Sequence, residues 1–351
     1  MVGFEKTPKG YILYIGVFIL VLLSALLVCP LTVFAEEVPD DSGFETGQEK
    51  EAEYTSFEMS DLKMPYSEVW PEDMYSFIHF PDTQVYTALC PDVFYQECQQ
   101  VIDWKKDMNI RFVAHSGDIV DSSWSQQQWQ NAVQGMTMLA DAEIPRMVTA
   151  GNHDLYQNGD YSSFCKYLNT DSYVYANNYT EMFSYRGGEA QVQLVNVGNG
   201  RTWMFVGVGF NPTDEALAWA QSVMARYTSL PAVIVTHCYL KIDGQLENIG
   251  WRIASYLVDP FPNVHLVLCG HNHTLAINVC SYDMDNDGRS DRDVYALLTD
   301  YQGDEDRKSG KFRILTVSES ENLIYVRTFN PATGSFVDDE EYIIQTDASW
   351  F

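Results

Sequence analysis

Short apolar runs alternate with stretches of helical spacing in the first part of the chain. Residues 75–80, 110–114 and 146–150 are predominantly apolar or aromatic runs of strand length, whereas residues 93–108 and 124–140 carry apolar side chains at intervals of three and four. The short runs predict buried strands, and the wider spacing predicts helices. Strands that alternate with helices are typical of α/β proteins with a largely parallel sheet.

The pattern changes in the middle of the chain and again near its end. Three β-rich runs separated by glycine-containing turns predict antiparallel strands at residues 182–185, 190–196 and 203–210. The later elements are predicted as helices at 213–227, with Thr213 as N-cap, and at 248–258, and as strands at 232–236, 264–269, 275–280, 294–298, 312–317 and 323–328. Residues 161–175 begin with helical spacing and continue as loop. This order fits an α/β fold of two packed sheets with flanking helices and one continuous core.

Polar residues that can bind metal follow five of the predicted strands. They are Asp82, Asp118, Asn152, His237 and the pair His271 and His273. In α/β folds ligands bind beyond the carboxyl ends of the strands, so these side chains are expected at one edge. Carboxylate and amide oxygens mixed with imidazoles suit two divalent ions of the Mn, Fe, Zn or Ni type. Each residue alone also fits an ordinary turn or cap, and only the set favours a metal site.

The same residues lie in motifs that follow one another in a fixed order. The motifs are Asp82-x-Gln84, Gly117-Asp118-x-x-Asp121, Gly151-Asn152-His153-Asp154, His237 and Gly270-His271-x-His273. In order and spacing they resemble the calcineurin-like metallophosphoesterases, over about residues 75–331. The resemblance implies a four-layer α/β/β/α sandwich of two mixed sheets. It also implies hydrolysis of a phosphate mono- or diester at a dinuclear metal centre.

The resemblance further implies a metal-binding role for the residues at the matching positions. Asp118 would bridge the two ions. The remaining ligands would be Asp82, Gln84 and His273 for the first ion, and Asn152, His237 and His271 for the second. A hydroxide held between the ions would be the nucleophile.

Three further residues would act beside the metals. His153 would lie next to the phosphoryl group and assist the leaving group, and Asp154 would fix the orientation of His153. Asp121 would support Asn152 or the loop that carries Asp118.

Gln84 departs from the family, which usually has histidine at this position. A neutral amide is a weaker ligand than imidazole, so the first ion would be held loosely, bind through water or be a harder ion. Two functions follow: a metallophosphoesterase of a subclass with this glutamine, or a surface binding protein on the same fold with weak or lost catalysis.

The N-terminal residues indicate where the domain works. Lys6 and Lys9 precede an apolar stretch over residues 11–34 that ends in Val33-Phe34-Ala35. This pattern predicts either a signal peptide cleaved after Ala35 or an uncleaved membrane anchor over residues 1–35. Both interpretations give a secreted or cell-surface protein. The predicted organisation continues with an acidic flexible linker at 36–74, the phosphoesterase domain at 75–335 and a C-terminal tail at 336–351.

The acidic composition narrows the class of partner. A net charge of -28 disfavours nucleic acid and anionic membrane surfaces as partners, so membrane contact is expected only through the N-terminal segment. It does not exclude a small phosphoester substrate, because two bound cations would dominate the local field. The oligomeric state does not follow from the sequence.

Two other groups of residues leave alternatives open. The six cysteines after the N-terminal segment could be oxidised in an exported protein, with Cys90 and Cys98 the pair nearest in sequence, while Cys238 and Cys269 are either buried thiols or a pair. Asp283, Asp285 and Asp287 begin like a calcium loop but lack its closing bidentate acid, so a calcium site competes with a plain acidic hairpin tip.

Aromatic residues near the motifs could line a substrate groove or pack in the ordinary way. They are Trp124, Tyr156, Tyr239, Trp251 and Tyr301.

Overall fold

Two mixed sheets face each other and carry helices on their outer surfaces. The computed structural model of the protein describes residues 49–50, 73–157, 159–168, 179–283, 285, 287–304, 307–347 and 350–351. The predicted α/β class and the α/β/β/α sandwich are confirmed.

The first sheet has eight strands. In order across the sheet they are β1 (Glu49–Lys50), β10 (Leu275–Tyr282), β11 (Arg292–Thr299), β9 (Val264–Cys269), β8 (Ala232–Thr236), β7 (Arg201–Val208), β6 (Ala190–Gly198) and β5 (Tyr179–Tyr185). Strands β7, β8, β9 and β11 are parallel to one another, and the outer pairs are antiparallel. The antiparallel strands β5 to β7 correspond to the β-rich middle of the chain.

The second sheet has seven strands. Its order is β14 (Ser335–Phe336), β13 (Leu323–Asn330), β12 (Phe312–Ser318), β2 (Met74–Phe80), β3 (Ile110–His115) and β4 (Arg146–Val148), and β15 (Tyr342–Gln345) also pairs with β13. Strands β2, β3 and β4 are parallel. Both β2 and β3 are buried on two faces, which is why their sequences are continuous apolar runs.

Six helices belong to the part of the chain that the structure describes. They are α1 (Gln84–Leu89), α2 (Pro91–Asp103), α3 (Gln126–Asp141), α4 (Ser162–Tyr167), α5 (Asp214–Met224) and α6 (Asn248–Leu257). Short 3-10 turns occupy Tyr301–Gly303 and Asp338–Glu340. The predicted N-cap is confirmed, because the Thr213 side chain accepts a hydrogen bond from the Ala216 amide at the start of α5.

The core has three apolar layers. One lies between the first sheet and helices α5 and α6, and another between the second sheet and helices α1 to α3. The central layer joins the sheets, and there the ring of Phe112 stacks on Phe205 with centroids 4.0 Å apart. The indole of Trp203 donates a 2.7 Å hydrogen bond to the Tyr75 hydroxyl across the same layer. The two sheets are therefore fixed against each other, which fixes the edge at which their parallel strands end.

The C-terminal residues correct one predicted boundary. The sequence predicts a tail from residue 336, but β15 pairs with β13, and Phe336 stacks on Trp104. Trp350 is also buried, with its ring 4.4 Å from that of His265. Burial of these aromatic side chains makes the segment part of the domain.

The N-terminal predictions fall largely outside the described residues. The segment 1–35, with its predicted signal or anchor, is not among them, and of the predicted linker at 36–74 only 49–50 and 73–74 are described. Residues 49–50 form β1 rather than flexible chain. No helix in the described ranges has the length and apolar character needed to cross a membrane.

No disulfide joins any of the six cysteines after the N-terminal segment, all of which are described residues. Cys98, Cys238 and Cys269 are buried, and Cys90, Cys165 and Cys280 are half-buried. The interpretation of Cys238 and Cys269 as buried thiols is therefore confirmed, and neither expected pair is formed.

Candidate metal centre

The predicted ligands meet where the parallel strands of both sheets end. Asp82 follows β2, Asp118 follows β3 and Asn152 lies beyond β4, while His237 follows β8 and the pair His271 and His273 follows β9. The facing sheets bring these five loops to one edge, as the strand-end argument predicts.

Two glycines allow the loops to approach this closely. A Cβ on Gly151 would lie 2.1 Å from Oδ1 of Asp118, and one on Gly270 would lie 2.0 Å from Oδ2 of Asp82. Any side chain at these positions would displace an acidic residue of the site. The glycines in the Gly151-Asn152 and Gly270-His271 motifs are thus explained by close approach to a carboxylate.

Four donor atoms converge in the tightest part of the site. The Asp118 Oδ2 atom lies 3.3 Å from Nε2 of His237, and the Asn152 Oδ1 atom lies 3.0 Å from the same nitrogen. The Nδ1 atom of His271 is 3.2 Å from it. Ligand atoms of Asp118, His237 and His271 all lie within 4.8 Å of one another, a spacing that suits one shared cation.

The hydrogen bonds of His237 leave the correct nitrogen for a metal. Its Nδ1 lies 3.1 Å from the Ser116 carbonyl oxygen, which can only accept, so Nδ1 carries the proton. Nε2 is then the nitrogen that faces Asp118 and Asn152, and a metal ion there would take the place of the second proton that the ring otherwise holds. A backbone carbonyl that fixes the tautomer in this way is a common support for a metal-binding histidine.

The residues predicted for the first ion lie beside this group. Both carboxylate oxygens of Asp82 accept from the His271 amide, at 3.1 and 3.2 Å, and Oδ1 lies 3.7 Å from Nδ1 of His237. The His273 ring is 56% exposed, and its Nε2 is 3.9 Å from Oδ2 of Asp300. Within this set the His273 side chain is therefore exposed to solvent, whereas Asp82 is buried.

Gln84, the first residue of α1, is buried at the centre of the site. Its amide nitrogen donates a 3.1 Å hydrogen bond to Oδ2 of Asp118, and its buried Oε1 atom has no partner. A buried acceptor without a donor is costly, and a cation would satisfy it.

The electrostatics of the site call for positive charge. Burial and the nearby Asp300 carboxylate raise the pKa of Asp82 well above its usual range, and burial also raises the pKa of Asp300. Burial alone would lower the pKa of His237, but Asp118 and Asp82 outweigh it and raise this pKa to about 10. Burial lowers the pKa of His271 to about 4, which keeps its ring neutral and able to bind a cation. Clustered buried carboxylates with neutral imidazoles are a donor set that fits divalent ions.

His153 lies at the rim with its ring held in place. Its Nδ1 is 2.8 Å from the backbone carbonyl oxygen of Asp121, and its amide donates to Oδ1 of Asp118 at 2.8 Å. The ring is 42% exposed, so its free edge can reach a bound ligand.

The supporting roles predicted for Asp154 and Asp121 stay predictions, and the structure shows the contacts that each residue makes. Among the described residues, Asp154 makes no hydrogen bond to the His153 ring. Its buried carboxylate accepts hydrogen bonds from the amides of Gly151 and Val120 and so joins two ligand loops. The Asp121 carbonyl holds the ring instead. Burial and the neighbouring Asp118 carboxylate raise the pKa of Asp154 to about 7.

Asp300 belongs to the site although the strand-end reasoning did not include it. It is buried directly after β11, and its Oδ2 accepts a 3.0 Å hydrogen bond from the His273 amide. Because β11 is parallel to β9, the same reasoning applied to this strand would have found it.

His115 supports the site from beneath. Its Nδ1 accepts from the Gly117 amide at 3.1 Å, so Nε2 carries the proton and donates to the Thr83 hydroxyl at 2.9 Å. Burial lowers its pKa to about 3, which keeps the ring neutral. The contact links the loops that carry Asp82 and Asp118.

The acidic hairpin tip is a separate cluster. Carboxylate oxygens of Asp283, Asp285 and Asp287 lie within 4.8 Å of one another, and all three side chains are exposed. Asp283 accepts hydrogen bonds from the amides of Asp287 and Gly288, Asp285 accepts from the Asp287 amide, and Asp287 accepts from the Arg289 amide. The calcium site and the plain hairpin tip both stay predictions.

Comparisons with known proteins agree with this geometry. A family model described as calcineurin-like phosphoesterase matches residues 75–275. The uncharacterized protein YvnB of Bacillus subtilis (strain 168) is 35% identical over 272 residues, which cover 77% of this chain and 21% of that protein. The chain therefore spans about a fifth of the length of this relative. Purple acid phosphatase PPD1 from yellow lupin (Lupinus luteus) is similar in fold, with a TM-score of 0.51, 16% identity and coverage of 78% of this chain and 54% of that one.

Proposed function

The chain belongs to the calcineurin-like phosphoesterase family, and on that premise we propose that it hydrolyses a phosphate mono- or diester with two divalent metal ions. The observation that carries the proposal is the convergence of Asp118, Asn152, His237 and His271 on one point, with Asp82 and Gln84 beside them. The residues present fit such ions, because the buried Oε1 of Gln84 needs a positive partner and the buried carboxylates need neutralising charge.

The ligands divide as the motifs indicate. Asp118 would contact both ions, as the resemblance implies, and its Oδ2 lies beside Nε2 of His237 and the amide nitrogen of Gln84, one residue from each ligand set. Asp82 and His273, with Gln84, would hold the first ion. Asn152, His237 and His271 would hold the second. When bound, such ions supply an activated water and neutralise the phosphate oxygens in the transition state.

The chain's own residues position the substrate and the leaving group. His153 has Nδ1 committed to the Asp121 carbonyl, so its Nε2 is the atom that can face a phosphoester at the rim. From there it can bind a phosphate oxygen or pass a proton to the departing oxygen. Its amide is fixed by Asp118, so the ring and the bridging carboxylate keep a constant separation.

The place of action is part of the proposal. The basic and then apolar N-terminal segment, followed by acidic residues, supports a domain that works outside the cytoplasm. Mass spectrometry of the mature protein tests this: a chain that begins at Glu36 indicates a cleaved signal, and a retained segment in a membrane fraction indicates an anchor. Intact chain in the cytoplasmic fraction would contradict both.

Gln84 favours a second candidate, a binding protein with little catalysis. The Gln84 amide donates a hydrogen bond to Oδ2 of Asp118, an atom that would otherwise be available to bind a metal ion. The two candidates differ in turnover and share the site.

Assays on p-nitrophenyl phosphate and bis-p-nitrophenyl phosphate separate them. We expect the manganese-loaded protein to cleave at least one ester, to lose turnover in a chelator and to regain it when metal is restored. His153→Ala should lower kcat by about 10²- to 10⁴-fold, the usual contribution of a positioned proton donor. Gln127→Ala, an exposed change on α3, is the control. If the fully metal-loaded protein turns over neither ester, the hydrolase function is excluded and the binding function is supported.

A further inference from the structure

A cleft of about 830 Å³ opens directly beside the metal centre. Asn152 and Phe210 belong to both, because Asn152 contacts His237 and the Phe210 ring lies 5.5 Å from that of His271. A phosphate held at the ligands would therefore point its organic group into this cleft. Its volume lies in the range typical of small-molecule sites.

Two aromatic side chains on the cleft wall are left in water. Trp124 is 74% exposed and Tyr156 is 44% exposed, and both line the cleft. Trp124 lies three residues after Asp121, whose carbonyl holds His153, and it lines the cleft together with Asn152. Exposed aromatic faces beside a catalytic site are suited to stacking on a flat ring. By contrast, Tyr239 and Tyr301 are buried in the core.

The inner wall carries a polar atom that lacks a partner. Tyr161 lines the cleft, and its hydroxyl is buried without a hydrogen bond. A buried hydroxyl normally has a partner, and a polar atom on a bound ring system would supply one. This observation is independent of the exposed aromatic faces and also indicates a ligand.

The charges of the wall limit what that ligand can be. The charged residues among the described lining are Arg186 and Glu189, with Nη1 and Oε2 3.7 Å apart. One cation and one anion that face each other leave no net charge for a further phosphate. The wall therefore favours an uncharged group over a polyphosphate chain.

We propose that this cleft, which we call the aromatic cleft, binds the organic part of the substrate, and that this part is a large, flat, uncharged ring system. Trp124 and Tyr156 stack on the ring, and Tyr161 hydrogen bonds to its edge. The substrate class is thus a phosphoester of an aromatic ring compound with a single phosphate group. The inference rests on the proposed hydrolase function.

A matched pair of substrates isolates the ring. Adenosine 5'-phosphate and ribose 5-phosphate share the same leaving oxygen and differ in the presence of the base. If the protein accepts only diesters, the methyl esters of the same two phosphates are the equivalent pair, because the base is then the only aromatic ring in either substrate. We expect kcat/KM of the metal-loaded protein to be higher for the ring-bearing member by about tenfold or more, the scale of stacking on an aromatic side chain.

Substitutions assign the preference to the cleft. Trp124→Ala and Tyr156→Ala should each move the ratio of kcat/KM within the pair toward one, mainly through KM. Trp251→Ala is the matched control, because this tryptophan is 48% exposed but does not line the cleft. Trp124→Phe should restore most of the preference.

The outcomes separate the inference from the function beneath it. No turnover of any ester by the wild-type protein would remove the proposed function. Turnover with a ratio near one, or a ratio that Trp124→Ala and Tyr156→Ala leave unchanged, would overturn the aromatic cleft while the hydrolase stands. A faster ribose 5-phosphate reaction would likewise overturn the aromatic cleft, because the base would then hinder rather than assist the reaction.

Discussion

At position 84 a single side chain would decide how firmly the proposed first metal ion is held. The Gln84 amide donates to Asp118 and leaves its own carbonyl oxygen without a partner. As a ligand the amide oxygen is neutral and weak, whereas an imidazole at the same place would offer a stronger nitrogen donor. The residue therefore tunes the affinity of one ion while the other ligands stay unchanged.

Gln84→His is predicted to raise the affinity for one of the two ions. The histidine replaces a weak oxygen donor and removes the hydrogen bond to Asp118, so metal affinity should rise by about tenfold, the lower end of what single changes around a metal site produce. Calorimetric titration of the metal-free protein with Mn²⁺ measures this. Gln84→Ala is the control and should weaken the same ion. Equal affinities in wild type and Gln84→His would refute the role of Gln84 as a ligand.

The sequence identified the ligands but could not give every contact among them. The strand-end positions of Asp118, His237 and His271 follow from apolar periodicity and motif spacing, and these residues meet as expected. The support of His153 did not follow, because it depends on the loop backbone. Asp118 adopts a left-handed conformation with φ of 51°, and the His153 ring contacts the Asp121 carbonyl further along the same loop.

At the scale of single elements, helix α2 buries an ionisable side chain, Glu97, that its apolar spacing does not explain. Glu97 is fully buried among the apolar side chains between α2 and the second sheet, and neither carboxylate oxygen has a hydrogen-bond partner. Burial raises the pKa of Glu97 well above its usual range. The folded protein therefore holds a proton there that the unfolded chain releases at neutral pH.

Glu97→Gln is predicted to stabilise the protein increasingly as pH rises. In the wild type the folded state must keep the proton, so its free energy of unfolding falls by up to about 1.4 kcal/mol per pH unit once pH exceeds the pKa of the unfolded glutamate. The free energy of unfolding of the glutamine variant does not fall in this way, because glutamine has no proton to release. Urea unfolding from about pH 4 to about pH 8 should show similar stabilities at the acidic end and a growing advantage of the variant above it.

An exposed glutamate supplies the control for that series. Glu215→Gln on α5 should show no growing advantage over the same pH range. If the difference between wild type and Glu97→Gln is the same at every pH, Glu97 is ionised in the folded state and the argument from burial is wrong.

The C-terminal end of helix α2 could not be predicted from the local sequence pattern. The predicted helix at 93–108 is observed as Pro91–Asp103, because the following turn places Trp104 on Phe329, with ring centroids 4.5 Å apart, and Asn109 takes a positive φ of 47°. Helical spacing continued in the sequence, but packing against β13 ended the helix. Contacts of this kind join distant residues and are invisible to a local window.

At the scale of the whole molecule, the fold was predictable because each layer leaves a distinct pattern. Buried parallel strands appear as continuous apolar runs and the helices as amphipathic segments, so the α/β class followed directly. The C-terminal segment was assigned wrongly because its short, partly polar strands gain their burial only from pairing with β13. Register and pairing of such strands are set by the assembled sheet.

A cluster of buried carboxylates is the main electrostatic feature of the whole molecule. A chain of net charge -28 concentrates four buried carboxylates, Asp82, Asp118, Asp154 and Asp300, at one edge of its two sheets. Such a cluster is tolerable only with cations nearby. Bound metal ions would therefore stabilise the folded site as well as take part in the chemistry.

Turnover and metal content of one pair of variants test this account most directly. Asp118→Asn alters the bridging carboxylate, and Asp283→Asn makes the same change in the exposed hairpin cluster. Elemental analysis of the purified wild type should give two divalent ions per chain. Asp118→Asn should lose at least one ion and lower kcat for the better p-nitrophenyl ester by more than about 10²-fold, while Asp283→Asn keeps both. A folded Asp118→Asn protein that turns over like the wild type would contradict the central claim.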